Sequence, residues 1–422
     1  MGSVSTIRVL DPARAVLSIA AHATTIRANR IWGLFVRDIS ASAVMMGLLA
    51  AFVGYAASFA IVLAGLTAAG ASDGQAATGL FFATLGMGIC SIWLPAITRI
   101  PAAVAWSTPG AAFLASSVLL PGGFGEAVGA MTLAAALIVL TGIVPALGRV
   151  VAAIPKPIAS ALLAGVLLKL CLAPAVGLGV APWLVLPVLV AWVLGMAVHR
   201  LAAMPLAVAA FVGVLVVTVD AGAMPPLAAL SLREFALVPP VFTLRAFISV
   251  ALPLYLVTMA GQNIPGFAVL ELNGYPVVRQ SFLRKTGLAS LLIAPFGAIP
   301  VNMSAITAAM MSGEDAGADP ARRYWAAITS GVVYMALALA AGAITTLAGL
   351  APAVLITAVA GLALIPALVG SLSAAFADKS QTEAPALTFL IAASGMTLLG
   401  VSGAFWGVLA GVLIWTVKRL RP

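Results

Sequence analysis

Residues Ala105–Ser116 read AWSTPGAAFLAS, and this stretch decides the fold. It puts Ser107, Thr108, Pro109 and Gly110 together inside a run that is otherwise apolar. Proline suits the first position of a helix, where its missing N–H is not needed and its φ is already set. Thr108 fits the N-cap in front of it, with Ser107 beside it, and the amides of Gly110 and the next two alanines face the membrane midplane. The helix behind them has about a dozen residues, roughly 15–18 Å at 1.5 Å per residue. It cannot cross about 30 Å of hydrocarbon alone. Extended backbone must complete the crossing, and such backbone survives in a bilayer only when buried in protein or lining a polar cavity.

Composition sets the surroundings of this break. The chain has 422 residues, 63% hydrophobic and 8% charged, with a mean hydropathy of +1.18. A soluble protein carries about a quarter charged residues, so the chain reads as an all-α polytopic membrane protein. The alternating ten-residue strands of a barrel are missing. Cys90 and Cys171 lie in apolar runs, and His22 and His199 are the only histidines. No metal site, no cofactor and no nucleophile–histidine pair is therefore expected, which argues against an enzyme. Residues 1–37 hold five arginines and no clean apolar core before a cleavage site. They read as a cytoplasmic N-terminal segment rather than a signal peptide.

Apolar runs appear near 40–65, 75–98, 105–120, 124–147, 154–177, 181–198 and 203–219. A second set follows near 247–270, 281–296, 300–312, 323–348, 352–373, 385–399 and 402–418. Fourteen transmembrane segments are expected: a first repeat over 38–220, an extracytoplasmic linker over 221–246 and a second repeat over 247–422. With both termini cytoplasmic, 18 of the 21 Lys and Arg fall on the cytoplasmic side, as the positive-inside rule requires. The net charge of +9 is thereby explained by the lipid bilayer, with no nucleic-acid partner. Seven is odd, so the second set is inserted upside down, the arithmetic of an inverted-repeat transporter.

The third member of each set is anomalous in the same way. Its counterpart in the second half is Ala298–Met310, AIPVNMSAITAAM, where Asn302 is the expected N-cap and Ser304 lies close by. Two positive helix ends converging from opposite sides suit an anion, each contributing about 0.3–2 kcal/mol. Between them in sequence runs Tyr255–Gly266, YLVTMAGQNIPG. Gln262 and Asn263 sit about 20 Å along that helix, Pro265 interrupts it, and at least one carboxamide should face a cavity. Lys169 falls about mid-membrane, a countercharge for an anion or a proton carrier unless it snorkels to the outer surface. Asp38 and Glu126, near span ends, are weaker proton candidates. Among nearby aromatic residues, Tyr55 and Trp106 are the best candidates for a cavity wall because they have polar handles.

At these residues the chain resembles the benzoate:proton symporter (BenE) family of bacterial inner membranes. The resemblance is carried by GYAAS at Gly54–Ser58, AWSTPGAA at Ala105–Ala112, LPLYLVTMAGQNIPG at Leu252–Gly266 and SGAFWG at Ser402–Gly407. It implies a seven-plus-seven inverted repeat like that of nucleobase and sulfate transporters. Segments 1–4 and 8–11 would form a core, and 5–7 and 12–14 a gate. Related nucleobase carriers hold their substrate with acidic residues on segments 8 and 10. This chain has Gln262, Asn263 and Asn302 there, which fits an anionic substrate and argues against uracil.

The expected function is proton-coupled uptake of benzoate or a similar aromatic carboxylate by alternating access. The expected substrate-binding residues are Ser107, Thr108, Gly110, Gln262, Asn263, Asn302, Ser304, Tyr55 and Trp106, with Lys169 handling charge or proton. A carrier of another small organic or inorganic anion and an anion channel are the alternatives, and a homodimer is left open.

Overall fold

The computed structural model describes residues 38–117, 119–199, 201–219 and 235–420. The expected N-terminal segment 1–37 and residues 221–234 of the expected linker lie outside them. The first helices are α1 (Ala41–Ala56), α2 (Phe59–Ala68) and α3 (Asp73–Thr98). Strand β1 (Val104–Trp106) leads directly into the short α4 (Thr108–Ser116). There follow α5 (Gly123–Ile143), α6 (Pro145–Ala153), α7 (Lys156–Cys171), α8 (Ala173–Val180), α9 (Pro182–Val198) and α10 (Ala203–Thr218).

The second half opens with α11 (Leu244–Leu272) and α12 (Arg279–Ile293), then β2 (Val301–Met303) and the short α13 (Ala305–Ser312). It closes with α14 (Tyr324–Leu339), α15 (Ala341–Leu350), α16 (Ala353–Ala375), α17 (Glu383–Ala393), a hairpin of β3 (Thr397–Leu398) and β4 (Val401–Ser402), and α18 (Gly403–Leu420).

Among the described residues, six helical stretches are long and apolar enough to cross a bilayer. A seventh results if α14 and α15, bent by 57°, count as one. The chain is a multi-pass membrane protein. The other apolar runs form helices too short to meet that length, and α4 and α13 are the shortest of interest, at nine and eight residues.

The two extended stretches before α4 and α13 satisfy each other. β1 and β2 pair antiparallel, with Val104 opposite Met303 and Trp106 opposite Val301. The ladder extends past both strands, from Ser107 N to Pro300 O (2.8 Å) and from Ser304 N to Ala103 O (2.9 Å). Each strand is also clamped at its first residue. Ser91 Oγ on α3 donates to Val104 O (3.1 Å) and accepts from Val104 N (3.3 Å). Ser290 Oγ on α12 does the same for Val301, at 3.1 and 2.9 Å. Buried backbone groups left unpaired in hydrocarbon would cost several kcal/mol each, so this mutual pairing is what permits two helix breaks at membrane depth.

Three details differ from the sequence expectation. The α4 N-cap is Ser107, one residue earlier than expected, and its Oγ accepts from Gly110 N (3.0 Å). The α13 N-cap is Ser304; Asn302 is held inside β2, because its backbone pairs with Ala105. Pro265 does not interrupt α11. A widened turn at Met259–Asn263 precedes it, with Ile264 N bonded to Met259 O five residues back, so the proline ring is absorbed. The same device at Phe247–Ala251 precedes Pro253.

Candidate functional site

A cavity of about 430 Å³ lies where α4, α11 and α13 begin or widen, within the usual range for small-molecule sites. One side of its lining is polar. Thr108 opens α4, Gln262 comes from the widened turn of α11, and Ser304 and Thr307 form the first turn of α13. None of these four side chains has a hydrogen-bond partner among the described residues, and the Thr307 hydroxyl is buried without one. A buried hydroxyl or carboxamide without a partner costs about 1–3 kcal/mol, so these groups are poised to bond a guest or water. The opposite wall is largely apolar, with Leu163 and Leu167 of α7 and Leu364, Pro366 and Ala367 of α16, and Ser160 and Ser371 of the same helices also line it. Among the described residues, no Asp, Glu, His, Lys or Arg lines the cavity.

The structure divides the nine expected substrate residues. Trp106, Thr108, Gln262 and Ser304 line the cavity, whereas Ser107, Gly110, Asn263, Asn302 and Tyr55 do not. Each of the five has other work. Ser107 Oγ is engaged by Thr258 Oγ1 (2.6 Å) as well as capping α4. Gly110 lets α4 press on α11; a Cβ there would meet Leu254 Cδ1 at 2.6 Å. Asn263 is fully buried, its Oδ1 accepting from Met303 N of β2 (3.0 Å). Asn302 is fully buried too. With its carboxamide oriented by its neighbours, it donates to Met303 O (2.9 Å) and accepts from Ser107 N (3.1 Å). Tyr55 lies buried beside Trp106, ring centroids 5.1 Å apart.

Trp106 is itself fixed: its Nε1 donates to Ser58 Oγ (2.8 Å), which donates on to Gly54 O (2.7 Å) at the break between α1 and α2. A second cavity of about 450 Å³ adjoins the first, sharing Ser160, Ala260, Pro265 and Ala374. Lys156 and Arg279 line it, the latter paired through two nitrogens with Glu271. The apolar-walled cavity thus leads toward a basic mouth.

The sequence profile of the family described as Benzoate membrane transport protein (BenE) matches residues 37–417. The chain belongs to this family. It is 36% identical over 382 residues to an Escherichia coli (strain K12) protein named Inner membrane protein YdcO, covering 89% of this chain and 95% of that one. It is 30% identical over 388 residues to the Benzoate membrane transport protein of Acinetobacter baylyi, covering 92% and 97%. Among solved structures, the transmembrane domain of a cyanobacterium bicarbonate transporter, BicA, superposes with a TM-score of 0.58 at 15% identity, over 88% of this chain and 97% of that one. That similarity concerns the fold. The chain is a membrane transporter, and its family is one of transporters rather than enzymes.

Lys169 is absent from the cavity of this benzoate-transporter family member. It is exposed on the last turn of α7 and lines a separate recess of about 40 Å³ with Ser116 and Ser117 at the end of α4. Helices α7 and α8 follow each other within one 25-residue apolar stretch, Lys156–Val180, so Lys169 keeps its place near the middle of that span and lies off the central cavity. Glu126 is buried on α5, outside the cavity lining, where it accepts from Gly122 N (2.8 Å) and from the Thr243 hydroxyl. Asp38 is taken by Arg99 (2.6 Å) and Tyr324 (3.0 Å). The sequence reading missed Thr307, Ser58 and the clamps Ser91 and Ser290. Thr307 was discoverable as the residue three after Ser304, on the same helix face. Ser91 and Ser290 are single serines in apolar runs and carry no local signal.

Proposed function

We propose that this transporter takes up benzoate, or a closely similar aromatic carboxylate, together with a proton by alternating access. The observation that carries the reading is the uncharged cavity, in which Thr108, Ser304 and Thr307 at the starts of two half-helices and Gln262 on the widened turn of α11, all unpartnered among the described residues, face a largely apolar wall. The carboxylate accepts from Gln262, Thr108, Ser304 and Thr307 and lies in the positive field of both helix starts. The ring packs on Leu163, Leu167 and Leu364, with Trp106 closing the polar end. Placing a carboxylate beside an acidic side chain would be repulsive, and the lining has none.

In this reading the chain crosses the membrane fourteen times as two inverted sets of seven, with both termini cytoplasmic. The repeated clamp of Ser91 on Val104 and Ser290 on Val301 supports that symmetry. Segments 1–4 and 8–11 carry the half-helices as a core, and segments 5–7 and 12–14 rock against it as a gate. The basic mouth at Lys156 and Arg279 then faces the cytoplasm.

An inside-negative potential opposes entry of a monoanion by about 2.3 kcal/mol per 100 mV, and one accompanying proton removes that term. Among the described residues no carboxylate lines the cavity, and Lys169 is outside it. The substrate therefore binds as the carboxylate and crosses once its own carboxyl group has taken up the proton, which the Gln262 Oε1 or a lining hydroxyl oxygen then accepts as a hydrogen bond. Proteoliposome uptake of labelled benzoate under separately imposed pH and voltage gradients tests this. Uphill, saturable accumulation driven by an inward proton gradient is expected. Accumulation of a different anion with none of benzoate overturns the substrate, and flux that never runs uphill points to a channel.

A further inference from the structure

We infer that the face opposite the Lys156–Arg279 mouth carries a second anion site, an entry vestibule for small carboxylates built around Lys169 and Arg245. This inference rests on the anion-carrier reading above. Helices α7 and α11 run in opposite directions. Lys156 at the start of α7 lines one cavity with Ala268, near the end of α11, and with Arg279 just beyond it. Lys169, about 20 Å along α7 from Lys156, and Arg245 in the first turn of α11 both lie away from that cavity, toward the other face. Two recesses lie there, of about 220 and 40 Å³, and both are lined by Ser117, Thr397 and Ser402. Arg245 lines the larger and Lys169 the smaller.

Both cationic side chains are exposed, and neither forms an ion pair among the described residues. Among the described residues, no Asp or Glu lines either recess. The β3–β4 hairpin that forms their shared wall is fixed rather than loose. Pro253 cannot donate to the carbonyl of Ser249 four residues earlier, and that carbonyl accepts from Ser402 Oγ (2.9 Å). Ser249 Oγ donates back to Gly400 O (2.9 Å). Gly400 has φ +74°, and a Cβ there would stand 3.3 Å from Arg245 Nε, so the glycine lets the turn lie against the guanidinium.

Among the described residues, two cations without ion-pair partners in adjoining recesses free of acidic side chains hold a positive potential that favours a small anion. The central cavity has no fixed charge to draw an anion from dilute solution, so capture falls to this pair. Exposed cations of this kind act chiefly on encounter rate, and their effect is screened by salt. Lys169 also stands at the C-terminal turn of α4, where a cation offsets the helix dipole. That structural role shifts the melting temperature and leaves the salt dependence of KM alone.

The test uses the full chain in membrane vesicles of each sidedness, measuring initial rates of labelled benzoate uptake between about 0.01 and 0.15 M salt, where screening lengths fall from about 30 to 8 Å. The Lys169→Gln/Arg245→Gln double variant is expected to raise KM about three- to tenfold at low salt. Its KM should be flat with salt and its kcat near that of the unaltered protein. The rise should appear only when the Lys169–Arg245 face meets the substrate. The Lys169→Arg/Arg245→Lys variant, which keeps both charges, should restore the low KM. An unchanged KM and salt slope overturns the vestibule, as does an equal rise from both faces. If the unaltered protein carries no benzoate under any imposed gradient, the anion-carrier reading fails, and the vestibule, which rests on it, falls with it.

Discussion

At residues 262 and 263 two carboxamides stand side by side, and one widened helical turn points them to different tasks. Gln262 faces the cavity without a partner among the described residues, while Asn263 accepts from the buried amide of Met303. Their replacements should therefore separate function from stability. Gln262→Leu removes a donor to the substrate; a hydrogen bond to a charged group is worth about 1.5–3 kcal/mol. KM for benzoate uptake should rise about tenfold or more, with the melting temperature nearly unchanged. Asn263→Leu leaves Met303 N–H buried and unpaired, which should cost about 1–3 kcal/mol of stability, read as a lower melting temperature in detergent. The reverse pattern would mean the two residues have been assigned the wrong way round. From sequence the pair was visible as costly in lipid, and only their orientation was hidden.

For elements, the short helix α4 is the part that must be placed accurately, and glycines set how closely its neighbours approach. Gly65 on α2 lies against the backbone of Ala111; a Cβ there would sit 2.5 Å from the Ala111 carbonyl oxygen. Because the obstacle is backbone, relief requires α4 to move, and with it Thr108 and Pro109 at the cavity. Gly65→Ala should therefore cost about 1–3 kcal/mol of stability and lower uptake kcat/KM about tenfold. Gly74→Ala, at a position with nothing within 4 Å, should be neutral in both. Equal effects of the two substitutions in melting and uptake assays would sink this account. Proline, serine and threonine at Ser107–Pro109 announced the break in the helix. The cap fell one residue from its expected place because the ladder from Ser107 N to Pro300 O fixed where the strand stops.

For the whole molecule, charge is absent from the cavity lining among the described residues, and basic residues lie in the recesses on either side of it. Lys156 and Arg279 line one mouth, and Lys169 and Arg245 the opposite recesses. A proton carrier at Lys169 would have to release its proton during the cycle, which arginine cannot do. With the proton instead on the substrate, Lys169→Arg should keep full accumulation driven by an imposed pH gradient. Loss of pH-driven accumulation in that variant, with benzoate binding retained, would return the proton to Lys169.

The sequence by itself determined the membrane class, the two helix breaks and the short list of polar residues that hydrocarbon makes costly. These follow from composition and local backbone chemistry, which neighbouring residues carry on their own. Only the tertiary structure decided which of those residues meet the cavity. The amides exposed by the two breaks are paired between strands almost 200 residues apart. Asn263 and Asn302 are consumed in securing that pairing, and Gln262, Thr108, Ser304 and Thr307 are what it leaves over. Backbone satisfaction at membrane depth is a long-range requirement, and its partners are not written next to the residues they serve.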